Sequence, residues 1–282
     1  MGVLTPVKST SCTALCNLVL RYCVVAYGGA WAVWAVAALL GGQGSSGVGG
    51  SVAGALLLAG TLMPMAATYL VFPRLCACGL ATSPHPQARE GFVRFAFGMR
   101  PTVRGWLAFV VLLVWRWIMC NLAFGFPSIG DALLNVAASW PVLLLGGGLE
   151  EVGWRGCLQP ALTRLCAARL GSARRGALVA PALTGIAWAF WHLPLFAIPG
   201  TFQSTVSVWA VVVVGIALSY SFGALHRITG NLDSCIASHA WYNAMLIATP
   251  VFGPVACSLF LIEAVGGAVV LARPWYSDVS YR

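Results

Sequence analysis

Apolar residues run along this chain in eight long blocks, at about 13–40, 47–72, 104–126, 132–155 with a polar-faced extension to 170, 176–198, 203–226, 231–249 and 251–271. Runs of this length are the signature of helices that cross a membrane, because a span needs about 20 apolar residues. The polar positions between the blocks also carry a pattern. Lys8 and Arg21 precede or begin the first block, and the next loop, 41–50, has no charge. Arg74, Arg89, Arg94 and Arg100 follow, then a loop with only Asp131, then Arg164, Arg169, Arg174 and Arg175. Residues 194–202 are uncharged, His226 and Arg227 come next, 250–254 is uncharged, and Arg273 and Arg282 close the chain. Basic and non-basic loops alternate without a break. The positive-inside rule then predicts an all-α bundle of about eight transmembrane helices, multi-pass in the membrane, with both termini in the cytoplasm.

Composition agrees with lipid as the solvent. Of 282 residues, 60% are hydrophobic and 8% charged, against about 25% charged in soluble domains. The mean hydropathy is +0.86. One membrane domain spanning 1–282 is expected. The net charge of +9 is accounted for by loop topology, and no interleaving of aromatic and basic residues points to nucleic acid. The ten cysteines lie mostly in apolar runs or near basic loops and read as small hydrophobes; Cys76 and Cys78 are too close together for a zinc knuckle. The first apolar run is too long for the core of a cleavable signal, and Pro6 breaks the myristoylation pattern. Residues 91–100 suit an interfacial helix.

Ionisable groups inside lipid are costly, so each is a candidate for function. The interior holds Arg116, Glu150, Glu151, Arg155, His192, His239 and Glu263, with Asn243 as a polar companion. Glu151 and Arg155 are four residues apart, on one helix face, and are expected to pair. Glu150 is turned about 100° away and is expected to have no partner within its own motif. His239 and Asn243 share a face by the same spacing. Arg116 and Glu263 fall near mid-depth of their blocks and are expected to form a structural salt bridge, one that a charge-reversal swap would preserve. If the fourth and fifth blocks form a hairpin turning near Gly171 and Ser172, Glu150 and His192 lie 21 residues on either side of Gly171 and reach the same level.

The motifs Glu150-Glu151-x-x-x-Arg155, Trp188-x-x-x-His192 and His239-x-x-x-Asn243, on successive helices, together with Trp154-Arg155-Gly156, resemble those of the CPBP family of type II CAAX prenyl endopeptidases and bacteriocin-processing enzymes. The resemblance covers about 132–249, the expected catalytic core. It implies an endopeptidase cutting a lipidated or leader-bearing peptide or protein substrate. Glu150 would be the base that activates water, assisted by His192; His239 and Asn243 would bind the oxyanion; Glu151 and Arg155 would hold the first motif. Trp188 stands where the family usually has phenylalanine, and a difference in packing alone is expected. The chemistry is coherent, since a carboxylate taken out of water becomes a stronger base and N–H donors in a low-dielectric cavity stabilise a tetrahedral oxyanion.

Other readings compete. A zinc enzyme could use Glu150, His192 and His239, but there is no His-Glu-x-x-His segment, and the resemblance is to enzymes argued to work without a metal cofactor. Ser45 and Ser46 lie in a glycine-rich loop and not beside a buried histidine, and none of the three aspartates is central in a span. A transporter would use intramembrane charges too, usually with repeats or broken helices; the sequence shows no repeat. A catalytically silent scaffold or immunity protein is the third reading.

Overall fold

The computed structural model describes residues 11–41, 48–81, 89–98, 102–124, 129–248 and 254–273. Among these the regular structure is helical throughout. In chain order the helices are α1 (Cys12–Leu39), α2 (Val48–Thr61), α3 (Met63–Ala77), α4 (Arg89–Phe97), α5 (Val103–Phe124), α6 (Ile129–Leu143), α7 (Glu150–Gly153), α8 (Gln159–Leu170), α9 (Ala173–Trp191), α10 (Val208–Thr229), α11 (Asp233–Ala248) and α12 (Pro254–Ala272). Four helical stretches among the described residues are long and apolar enough to cross a membrane: Cys12–Leu39, Ser51–Ala77, Ala173–Ala197 and Val208–Thr229. The sequence pattern leads to eight. Two of the expected spans are shorter as helices, α6 with 15 residues and α11 with 16, below the roughly 20 that a straight crossing needs. The block containing α6 is interrupted because the chain leaves helical geometry at Gly146 and Gly147. The uncharged loops at 41–50 and 250–254 lie largely outside the described residues, as do both termini.

The expected hairpin is present. α8 ends on Gly171 at φ +62°, a left-handed cap that glycine adopts without steric cost. Ser172 then caps α9, its hydroxyl accepting from the Arg175 N–H at 3.3 Å. α9 packs against α10 at backbone contact: a Cβ on Gly185 would lie 2.4 Å from Ile216 Cα. Small residues allow this approach, and in lipid close packing must replace the hydrophobic drive between helices. The segment expected to be an interfacial helix is helical as α4, and its Phe92 and Phe95 pack on Phe72 of α3.

α1 backs the centre with aromatic rings. Tyr22 meets Trp154 edge-on at 5.8 Å, and Trp34 lies 4.6 Å from Trp191. The buried indoles find acceptors, as they must: Trp34 donates to Leu57 O and Trp191 to Ala26 O, each at 3.0 Å.

Arg116 and Glu263 pair at 2.7 Å with almost no exposure. The guanidinium does more than neutralise a carboxylate. It donates to Ser238 O at 2.9 Å and Ser221 Oγ at 3.3 Å, and lies 4.6 Å above the Phe222 ring. This corrects the expectation for the swap: a carboxylate at 116 would face the Ser238 carbonyl, so exchanging the charges is not conservative. Losing one member of a buried pair costs about 3–5 kcal/mol, whereas apolar replacement of both is often close to neutral. Arg116→Met should therefore be strongly destabilising in thermal unfolding of the detergent-solubilised protein, and Arg116→Met with Glu263→Leu should recover a large part of the loss. Equal losses in the single and double variants would contradict the pairing.

Candidate active site

The first carboxylate of the site stands where a helix restarts. Beyond Leu143 the chain widens into a π-type turn over Leu144–Gly148, in which Gly146 (φ −89°, ψ 66°) and Gly147 (φ 130°, ψ −50°) are not helical. Leu149 N–H reaches back to Leu144 O at 3.0 Å, and regular geometry resumes at Glu150 and continues through a second wide turn, Trp154–Leu158, into α8. Wide turns of this kind recur at functional sites. Acidic side chains are also favoured at a helix start, where the backbone dipole is positive.

The two adjacent glutamates have separate environments. Glu150 is 3% exposed, and its Oε2 accepts from Trp188 Nε1 at 2.8 Å and Trp154 Nε1 at 3.3 Å. Both indoles engage the same oxygen, and the residue lines a cavity. Glu151 is fully buried behind it. Its Oε1 accepts from Arg155 Nη1 at 2.8 Å and contacts His239 Nδ1 at 2.9 Å. Arg155 is the expected partner, and it also donates to Ser219 Oγ at 2.9 Å. Its guanidinium lies between the rings of Trp188, at 5.2 Å, and Phe222, at 4.9 Å.

Two sequence expectations need correction. Glu150 does have a partner within its own motif, because Trp154, one helical turn on, brings its indole N–H back to the carboxylate. Trp188 differs from phenylalanine in chemistry as well as packing, since its N–H is the shorter of the two bonds to Glu150.

Partner chemistry assigns the histidine tautomers. The Trp188 carbonyl only accepts, so His192 Nδ1, 2.8 Å away, carries the proton. An ionised carboxylate likewise only accepts, so His239 Nδ1 donates to Glu151. Both rings then present Nε2 for other work. His192 ends α9, His239 and Asn243 lie one turn apart on α11, and all three share with Glu150 and Trp188 the lining of a single cavity of about 620 Å³. Its remaining walls include Leu57, Leu58, Leu143, Val214, Leu218 and Leu246. Glu151 and Arg155 stand outside the cavity as its support. Among the described residues no group of three or more His, Cys, Asp or Glu side chains is arranged to hold a metal ion, so Glu150, His192 and His239 are not drawn together as ligands.

Ser219 and Gly147 are site residues that the sequence reading did not single out, and Trp154 entered it only within the Trp154-Arg155-Gly156 motif, with no role of its own. A signal existed for Trp154, which lies four residues after Glu150. For Ser219 there was none, because its contact crosses helices far apart in sequence.

An all-helical membrane protein with a carboxylate, two imidazoles and a carboxamide at the polar end of an apolar cavity belongs to the broad class of intramembrane helical bundles with a buried polar site. The particular family is narrower. Residues 132–245 match the model of the Rce1-like type II CAAX prenyl endopeptidases, a family of proteases. No curated protein matches the chain.

The separate roles of the glutamates lead to a stability contrast. Glu151→Ala leaves Arg155 buried without its counter-ion and should cost about 3–5 kcal/mol. Glu150→Ala removes only the acceptor for two indoles and should cost about 1–3 kcal/mol. Thermal unfolding of the two purified variants in the same detergent checks the order; a reversed order would contradict the assignment of Glu151 as the support.

Proposed function

We propose that this chain is an intramembrane endopeptidase that hydrolyses a peptide bond with water activated by Glu150. The observation that carries the reading is the meeting of Glu150, His192, His239 and Asn243 on one cavity, within a segment that matches a protease family. In this reading the whole chain is a single membrane domain of eight spans with both termini cytoplasmic, and 132–249 is its catalytic core. The substrate is a lipidated or leader-bearing protein, which suits a cavity whose walls are mostly apolar. The pairing of Arg116 with Glu263 neutralises the two mid-depth charges that would otherwise favour a transport path.

The proposed chemistry follows from atoms already placed. Oε2 of Glu150 is held by two indoles, which aims the carboxylate and leaves Oε1 to take a proton from water. His192 Nε2, a lone-pair acceptor in the assigned tautomer, assists that removal. As the water oxygen bonds to the scissile carbon, the carbonyl oxygen gains negative charge. Asn243 Nδ2–H donates to it. His239 donates through Nε2 only when its ring is protonated, with the Glu151 carboxylate facing the opposite nitrogen. Collapse breaks the C–N bond, and the proton held at Glu150 passes to the leaving amine.

The test is cleavage of a panel of membrane-tethered, lipidated and leader-bearing peptides by purified protein, with and without chelator. Activity that survives chelator and is lost in Glu150→Ala is the expected outcome. Loss to chelator alone would favour the zinc mechanism, and inactivity of the wild type on every peptide would favour a silent scaffold. Trp188→Phe should lower kcat about tenfold with KM little changed, because a hydrogen bond to a charged group contributes about 1.5–3 kcal/mol. An unchanged kcat would mean that the indole does not orient Glu150.

A further inference from the structure

We propose that Gly147 is a positioning residue for this site: the absence of a side chain there is what seats the Asn243 carboxamide. The inference rests on the protease reading and adds a residue to it. Gly147 lies in the break before Glu150 with φ 130° and ψ −50°, a conformation that L side chains rarely adopt. Conformation is only half of the requirement. A Cβ built on Gly147 would lie 2.4 Å from Asn243 Nδ2, 3.6 Å from Asn243 Cγ and 3.6 Å from His239 Nε2. The bare Cα therefore faces the two groups assigned to the oxyanion. The break is also held against α11 from its other end, since a Cβ on Gly148 would lie 2.9 Å from Ile236 O.

The carboxamide is free of other restraint. No described residue hydrogen-bonds to it, so its N–H is available to a ligand and its position is set by what it packs against. Gly147 is part of that surface. Gly146 differs from its neighbour: a Cβ there would meet only Leu58 Cδ1, at 3.3 Å. The requirement for glycine toward the polar pair is thus specific to position 147. Any residue other than glycine at 147 would bring a Cβ into the space of the Asn243 carboxamide. The break allows α6 and α11 to approach at this point, and it sets the donor that the proposed reaction needs.

A double-mutant cycle on kcat and KM tests this, using the best-cleaved peptide of the panel. Asn243→Ala should lower kcat by roughly 100-fold, the usual effect of deleting one oxyanion donor. Gly147→Ala should lower kcat by a similar factor with KM within about twofold, and the double variant should be no slower than Asn243→Ala alone, as expected for residues acting as one unit. Alanine at position 147 also strains the backbone, so Asn243→Gln serves as a second variant that leaves the break intact. Its extra methylene has no room against Gly147, and its kcat should fall as far as that of Asn243→Ala. The assignment is overturned if Gly147→Ala keeps wild-type kcat, if the two losses multiply, or if Asn243→Gln is as fast as wild type. If wild type cleaves no peptide and binds a peptide phosphonate no more tightly than the parent peptide, the protease reading falls and the assignment falls with it. A wild type that cleaves, beside a Gly147→Ala variant that cleaves equally well, removes the assignment alone.

Discussion

Glu151 and Arg155 meet at 2.8 Å with neither side chain exposed, and most of the polar interior is arranged around that contact. A lone guanidinium inside a membrane is costly, so Arg155 requires a carboxylate, and one helical turn back is the nearest place on its own helix to put it. The same carboxylate oxygen also faces His239 Nδ1. Neutralising Arg155 and orienting the imidazole are therefore one interaction, and they tie the start of the restarted helix to α11. Ser219 on α10 holds the other arm of the guanidinium. With these contacts made by Glu151, Glu150 is left to the cavity, held only by two indole N–H groups.

A second ion pair works on α11 from the opposite side. Arg116, neutralised by Glu263, donates to the carbonyl of Ser238, the residue before His239. Phe222 has both cations over its ring, with Arg116 at 4.6 Å and Arg155 at 4.9 Å from its centre. The quadrupole of an aromatic ring favours a cation on its face. One ring can thus attract both charges. His239, 5.6 Å from the same ring, follows a carbonyl held by Arg116, and its own ring faces the carboxylate that pairs with Arg155. Removing the Arg116–Glu263 pair should therefore disturb the histidine without touching it directly.

What could be read from the sequence followed from periodicity. The spacing of Glu151 and Arg155, and of His239 and Asn243, places each pair on one helix face, and the structure keeps both arrangements. The symmetry of Glu150 and His192 about Gly171 anticipated a hairpin, and Trp188, one turn before His192, does reach Glu150. The Arg116–Glu263 pair could be inferred because two opposite charges of similar depth have few other ways to be accommodated in lipid. What escaped the reading depends on atoms and not on faces. A period of 3.6 residues does not say that an indole N–H points at a carboxylate, so the sequence reads Trp188 as packing and Trp154 only as part of a motif. Nor does an apolar run report where its backbone stops being helical. The block 132–155 reads as one continuous span, yet it breaks at Gly146 and Gly147, and the count of long helices falls with it.

That break follows from a general constraint. Non-helical backbone cannot face lipid, because its amides would have no partners; it survives at membrane depth only when buried in protein or lining a cavity. Gly147 and Gly148 are buried, and Gly146 lines the cavity. The interruption and the cavity therefore depend on each other. Without the cavity and the packed face of α11, the glycine turn would have nowhere to sit. Without glycine at 147, a Cβ would enter the space that Asn243 Nδ2 occupies. A substitution that restores regular helix through 144–150 should thus be expected to do more harm to the site than to the bundle, since the helix–helix contacts of α8, α9 and α10 lie beyond it.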